Sequence, residues 1–219
     1  MPPRTGLQGR LVRLEPLDPQ RHGAALFRAA EGPGADPRLW DWMAVGPFGD
    51  ERAFRIWLDT LPASEDPLYF TVVTEPDGTP RGMASFMRIT PAHGVIEIGN
   101  IWFGVGLQRT PAATEAIHLL AHRTFAELGY RRLEWKCDAR NERSRRAALR
   151  LGFTFEGVFR QHLVIKGRNR DTAWFAMLDR DWPIVDAALR AWLDPSNLGP
   201  DGRQLRRLEE IRAGLVGAP

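Results

Sequence analysis

V-I-E-I-G-N-I-W-F at residues 95–103 runs through G-V-G-L-Q-R at 104–109 straight into T-P-A-A-T-E-A at 110–116. The first piece reads as a strand, and Thr110 with Pro111 behind it reads as a helix N-cap followed by the first helical position. That helix runs to Leu128, where Gly129 supplies the stop signal. A loop that opens directly into a helix leaves several backbone N–H groups without intrahelical partners, and the helix dipole adds partial positive charge. Phosphate or pyrophosphate binds such a place readily, and Arg109 adds a full charge. Every strand-loop-helix unit has a helix N-terminus, so the flanking sequence decides what this one serves.

Upstream, Y-F-T-V-V-T from Tyr69, the turn E-P-D-G-T-P, R-G-M-A-S-F-M-R-I and the break T-P-A-H-G make residues 95–103 the third strand of an antiparallel meander. Before it come a short strand at 11–17, a helix at 18–32 ending in G-P-G, and a helix at 50–61 whose Phe54, Trp57, Leu58 and Leu61 recur at helical spacing. The interval between those helices is a loop rich in Pro, Gly and Trp. Downstream, R-R-L-E-W-K-C is a strand, and Asn141 opens a helix that Gly152 closes. Two last strands, 153–165 and 171–178, flank the turn K-G-R-N-R. The chain divides into a domain at 1–182 and a C-terminal extension at 183–219. The extension carries helices at 184–193 and 204–215 and packs on the domain or on a partner, which makes it a candidate homodimer contact.

Composition narrows the function. With 219 residues, 43% hydrophobic and 26% charged, the chain is ordinary globular protein. No apolar run nears the roughly 20 residues of a membrane span, and M-P-P-R-T-G-L-Q-G-R shows no secretory leader, so the expected location is the cytoplasm. A single cysteine, Cys137, rules out an internal disulfide and a multi-thiolate metal site. Thirty basic residues against 27 acidic ones leave a charge of only +3, which argues against a dedicated nucleic-acid binder. Eight tryptophans are many for this length, and several are candidates to line a pocket.

Two linked motifs then carry a resemblance. Gln108 to Ala113, Q-R-T-P-A-A, with Thr114, Glu115 and Ala116 behind it, resembles the pyrophosphate loop Q/R-x-x-G-x-G/A and T-E-A of the GNAT acetyltransferase superfamily, in the branch of the Rim-type ribosomal-protein N-terminal acetyltransferases. The later pattern N-x-x-S, L-G-F, E-G of that branch is matched by Asn141, Ser144, Leu151, Gly152, Phe153, Glu156 and Gly157. The resemblance covers about 80 residues closely, from Glu97 to Leu178. It implies an α/β (α+β) fold with a mixed, mostly antiparallel central sheet, helices on both faces, and a splay where acetyl-CoA enters as co-substrate.

It further implies that Ile101, Trp102 and Phe103 run beside the pantetheine arm. Gln108, Arg109, Thr110, Ala112, Ala113 and Thr114 would hold the pyrophosphate, and Asn141 and Ser144 would complete the cofactor site. Pro111 stands where the family has glycine and removes one N–H donor. Ala148 stands where many members carry a tyrosine proton donor, so the resemblance passes that role to Ser144. Acetyl transfer to an amine also needs a proton acceptor. Glu97, the only acid on the central strand, is the candidate base, against the alternative of a partly exposed glutamate in a surface pair. The implied function is acetyl-CoA-dependent N-acetylation of a primary amine, on a protein N-terminus or a small molecule. Trp40, Trp42, Trp102 and Trp135, with Phe48, are candidates for the acceptor pocket.

Other features read more plainly. His118 and His122 stand at i and i+4 without a third ligand, which favours surface histidines over a metal site. Cys137 reads as a buried inert thiol, and G-V-G-L-Q-R lacks the third glycine of a dinucleotide fingerprint. Arg143, Arg145, Arg146 and Arg150 with K-G-R-N-R define the alternative of an RNA-binding module. Pro111 and Ala148 define a third, a catalytically inactive acyl-CoA-binding protein.

Overall fold

The computed structural model describes residues 1–216, and the meander is its centre. Strands β3 (Leu68–Thr74), β4 (Thr79–Thr90) and β5 (Val95–Phe103) pair antiparallel in chain order. β2 (Val12–Pro16) joins the outer side of β3, and β1 (Leu7–Gln8), a strand too short to show alternation, closes that edge. β6 (Arg132–Asp138) lies parallel to β5, and the hairpin of β7 (Thr154–Ile165) and β8 (Arg168–Leu178) completes the sheet through β8. The order is β1-β2-β3-β4-β5-β6-β8-β7, with β5·β6 the one parallel pair, which is the mixed sheet expected. The hairpin turn is tighter than K-G-R-N-R suggests. Lys166 and Gly167 both take positive φ, 49° and 71°, so Ile165 pairs with Arg168 and the remaining three residues of that stretch are strand.

Helices α1 (Pro19–Glu31), α2 (Glu51–Asp59), α3 (Pro111–His122), α4 (Glu142–Leu151), α5 (Trp182–Leu193) and α6 (Leu208–Val216) cover both faces. Period two sorts the sheet between them. Met83 joins Leu26, Phe54 and Leu58 of α1 and α2 in one buried cluster, while its neighbours Ala84 and Phe86 join Ile117 and Leu120 of α3 in the other. Caps fall where the sequence placed them. Asp18, Asp50, Thr110 and Asn141 each accept backbone N–H bonds from the first turn of the following helix. α3 continues through a π turn, Arg123–Glu127, to Leu128, and Gly129 leaves with φ +63°.

The histidines of α3 are not free surface groups. His118 Nε2 lies 2.7 Å from Asp186 Oδ1 of α5, and both His118 and His122 pack against Trp182. α5 starts at Trp182 because Pro183 fits a first helical turn, and Val185, Leu189 and Trp192 join the buried cluster of α3. α6 starts later than Gln204 because the preceding turns are held by Asn197, whose amide bonds the Trp192 and Arg206 carbonyls and whose Oδ1 accepts the Arg206 N–H.

Glu115 is the bolt between α3 and the N-terminal strands. Its buried carboxylate accepts from the backbone N–H groups of Arg10, Leu11 and Val12 at 3.1, 2.6 and 2.9 Å. A Cβ on Gly9 would meet Glu115 Oε2 at 2.5 Å, so the chain there must be glycine to come this close. Glu115→Ala is expected to cost about 3 kcal/mol of stability by stranding these donors, read as a lower urea midpoint at unchanged m-value.

Candidate active site

Two adjacent parallel strands that part company make the site. β5 and β6 pair only through Val95↔Arg132, Ile96↔Leu133 and Glu97↔Glu134, and beyond Glu97 they separate. A bulge drives the separation. Between the pairs Ser85↔Gly99 and Met83↔Trp102, Asn100 and Ile101 of β5 face the single residue Ala84 of β4. Asn100 takes φ +50° and its amide is tied to Ser85 Oγ at 3.0 Å. Such a bulge bends its strand, and here it turns the end of β5 away from β6. The β6-facing edge of residues 98–103 is left without a strand partner, and a cleft of about 700 Å³ opens beside it.

At one end of the cleft sits the start of α3. Gln108 Nε2 donates to the Phe103 carbonyl at 2.7 Å and Thr110 Oγ1 donates to Leu107 O at 2.7 Å, so the loop is closed on itself before the helix begins. Arg109 holds φ +60°, a left-handed conformation rare outside glycine. Of the five amides expected to face an anion, two are spoken for. Ala113 N–H donates to Thr110 Oγ1 at 3.2 Å and Thr114 N–H to Thr110 O at 3.4 Å. The amides of Arg109, Thr110 and Ala112 make no hydrogen bond among the described residues. Arg109, Arg146 and Arg150 line this end, and Arg150 donates to Thr114 Oγ1 at 3.1 Å while its guanidinium rests 4.6 Å from the Trp192 ring.

At the middle stands Ser144. Asn141 Oδ1 accepts the Ser144 N–H at 3.1 Å, and Trp135 Nε1 donates to Ser144 Oγ at 2.9 Å. An oxygen that accepts from the indole keeps its own proton to give away. Trp135 therefore supports the serine from the α4 side of the sheet. Cys137 lies in the same wall, buried, with its thiol pushed up by burial, and Ala148 is fully buried beneath α4.

The other half of the cleft is polar and carries a buried charge cluster. Lys136, with a side chain only 4% exposed, puts Nζ 2.9 Å from Glu97 Oε2 and 2.6 Å from Glu134 Oε2, and 3.8 Å from the centre of the Trp174 ring. Arg88 Nε reaches the same Glu97 oxygen at 3.0 Å. Glu97 is thus no surface-pair glutamate: it is buried, and burial pushes its carboxyl up against the opposing pull of Lys136 and Arg88. His162 completes this half, with Nδ1 3.0 Å from Thr172 Oγ1. Sequence reasoning missed Lys136, Arg88 and His162. Alternation through R-L-E-W-K would have put Lys136 on the face of Glu134.

A loop roofs this half. Asp36 pairs with Arg143 of α4 at 3.1 Å, and Lys166 of the β7–β8 turn donates to the Trp40 carbonyl at 2.9 Å. Of the four tryptophans expected at an acceptor pocket, Trp42 is 37% exposed on the cleft wall and Trp102 lines it from β5. Trp40 does not reach it: at 2% exposure it is packed among Phe48, Trp57 and Trp102, as a large ring in an apolar shell must be. Ile101, Phe103, Gln108, Arg109, Thr110, Ala113, Thr114, Asn141 and Ser144 all line the cleft, whereas Ala112 does not.

A split sheet with a free strand edge, an anion-ready helix start and a hydroxyl between them is the kind of site that N-acetyltransferases carry. Residues 12–154 match the acetyltransferase (GNAT) domain family, and the chain belongs to that family. A crystal structure of a GCN5-related N-acetyltransferase from Brucella melitensis is 48% identical, covers 97% of this chain and 96% of that one, and superposes with a TM-score of 0.93. The ribosomal-protein-serine acetyltransferase of Escherichia coli (strain K12) is 37% identical over 98 residues, 44% of this chain and 54% of that protein, which supports the Rim-type branch. The chain spans little more than half the length of some curated relatives it matches, 57% and 54% for two of them.

Lys136→Met would leave Glu97 with Arg88 alone and Glu134 with Arg132 alone, with an expected loss of about 2 kcal/mol at pH 7. The sign with pH follows from burial. The folded Glu97 carboxyl, already held above its unfolded value by burial, is pushed further up when Lys136 is lost, so folding binds a proton and the variant gains stability relative to wild type as pH falls. Its melting temperature is expected to approach that of wild type at pH 5 and to fall away from it at pH 7.

Proposed function

We propose that this protein is an acetyl-CoA-dependent N-acetyltransferase that moves an acetyl group to a primary amine by direct attack in a ternary complex. The observation that carries the reading is the parting of β5 and β6 beside the start of α3, with Ser144 at the mouth. The residues fit the co-substrate. The free amides of Arg109 and Thr110, which line the cleft, suit a pyrophosphate, so Pro111 costs one donor and leaves two there. Arg146 and Arg150 suit a further phosphate, and the unpaired edge at 98–103 suits an extended amide-bearing arm that adds like a strand.

The bound thioester supplies an activated acyl carbon. The chain supplies the rest: backbone amides of the β5 edge to hold the carbonyl oxygen, and Ser144 Oγ–H to protonate the departing sulfur. Glu97 was the sequence's base. Its pairing with Lys136 and Arg88 supports a different part, holding two cations at the acceptor half and keeping that wall close to neutral. The Arg-rich helix supports this reading over an RNA surface. Arg143 is paired with Asp36, Arg145 with Glu142 and the Ala139 carbonyl, and Arg150 with Thr114, while Arg146 faces the cleft.

For the acceptor, the similarity to the ribosomal-protein-serine acetyltransferase of Escherichia coli supports a ribosomal-protein serine, and Trp42, Met43 and Met87 would give the docked amine an apolar neighbour. Thermal-shift titration with acetyl-CoA, coenzyme A and NAD tests the reading: a ligand at about 100 times its Kd stabilises by about 2.7 kcal/mol, and only the first two should do so. Ser144→Ala is expected to lower kcat with acetyl-CoA affinity little changed. Arg109→Ala should weaken acetyl-CoA binding by about 2 kcal/mol, measured by calorimetry.

A further inference from the structure

We propose that His162 is the group that takes the acceptor's proton, resting this on the acetyltransferase reading above. The strand is built to present it. Between the pairs Phe159↔Thr172 and Leu163↔Arg170, three residues of β7 (160–162) face the single residue Asp171 of β8. The bulge is held: Gln161 takes φ +50°, its N–H donates to Asp171 Oδ1 at 2.7 Å, and Asn169 Nδ2 holds the same oxygen at 2.9 Å. A bulge re-aims a side chain, and this one turns His162 from the outer hairpin into the cleft.

The ring is fixed once it arrives. Thr172, fully buried on β8, lies against Nδ1 at 3.0 Å, and Trp174 and Phe159 hold the two sides at 6.1 and 5.6 Å between ring centres. With Nδ1–H donating to Thr172 Oγ1, the Nε2 lone pair is left for the cleft, and Nε2 makes no hydrogen bond among the described residues. The charges around it favour the neutral ring. Burial lowers its proton affinity, and so do Arg88 from β4, Arg170 from β8 and Lys136 from β6. The carboxylates in the same cleft are committed elsewhere, Glu97 to Lys136 and Arg88, and Asp138 to Arg140 at 3.0 Å.

An α-ammonium releases its proton near pH 8 and an alkylammonium near 10.4, so a weakly basic imidazole deprotonates the first at far smaller cost. In the step, one ammonium proton passes to Nε2 and the freed nitrogen pair forms the C–N bond. The C–S bond breaks with its electron pair on sulfur, which takes the Ser144 proton. The second proton lost by the new amide nitrogen restores Ser144, and the imidazolium returns its proton to solvent, so one proton is released per acetyl moved.

The test has two readouts. In the free protein, side-chain NMR of the imidazoles, assigned by the signal lost in His162→Gln, should show His162 neutral at pH 7 with the proton on Nδ1, and Thr172→Val should disturb that tautomer. A charged ring, or the proton on Nε2, overturns the proposal. In kinetics, the probes are acetyl-CoA with a lysine-free peptide starting in serine and with Nα-acetyl-lysine methylamide. Wild type should prefer the peptide, and His162→Gln should lower its kcat/KM about 100-fold at pH 7, recovering toward pH 9 where the amine deprotonates unaided. An unchanged profile in His162→Gln, or a preference for the lysine probe, overturns the assignment while acetyl transfer stands. Absence of both turnover and an acetyl-CoA thermal shift in wild type defeats the acetyltransferase reading itself.

Discussion

Three paired residues and then none: the contact of β5 with β6 sets everything else in this molecule. A sheet normally consumes the hydrogen-bonding capacity of its interior strands, and an interior strand left with a bare edge is costly unless something occupies that edge. Here the bulge at Asn100 and Ile101 imposes the bare edge, and Ser85 stabilises the bulge by accepting the Asn100 amide. The parting also fixes where the helices go. α3 must begin where β5 ends, and α4 must begin where β6 ends, so the starts of both helices meet at the opening. The cleft follows from the register shift between Met83 and Ser85, one of several in the sheet and the one that lies where β5 leaves β6.

Polarity then divides the cleft by the two faces of β6. Trp135 and Cys137 point toward α4 and join the apolar core, while Glu134 and Lys136 point to the opposite face, where β6 and β8 are covered by the roofing loop and solvent. Burying an ammonium between two carboxylates and against an indole face is tolerable only because each charge has a close partner. That cluster is held by several short contacts at once, so its groups need not reorganise when charge changes beside them.

Much of this was legible in the chain. Period two from Tyr69 to Phe103 gave the meander, and the sequence from Thr110 to Ala116 gave the helix start, because caps and turns are local chemistry. Ser144 was legible through its spacing from Asn141. What stayed hidden depends on residues far apart in sequence. The partnership of Glu97 with Lys136 spans 39 positions, and the one of Lys166 with Trp40 spans 126. Alternation tells which face a side chain occupies and not which strand lies beside it. Trp40 was misplaced for the same reason, since composition cannot separate a tryptophan that lines a pocket from one that supports it. The bulges left fainter marks: Gly99-Asn100 inside a strand is one, and nothing near His162 is comparable.

The roofing loop is pinned by Asp36 to α4, by the Trp40 carbonyl to the β7–β8 turn and by the Phe48 and Gly49 amides to Glu31 of α1, and its aromatic base packs on Trp102 of β5. A segment anchored this way behaves as an exchangeable part. Between the Trp40 and Phe48 pins, the chain around Trp42 and Met43 can vary in length and shape while the cleft walls on β5, α3 and α4 keep their places. A roof built apart from the register shift that opens the sheet lets residues such as Trp42 and Met43 reshape the cleft without disturbing its opening.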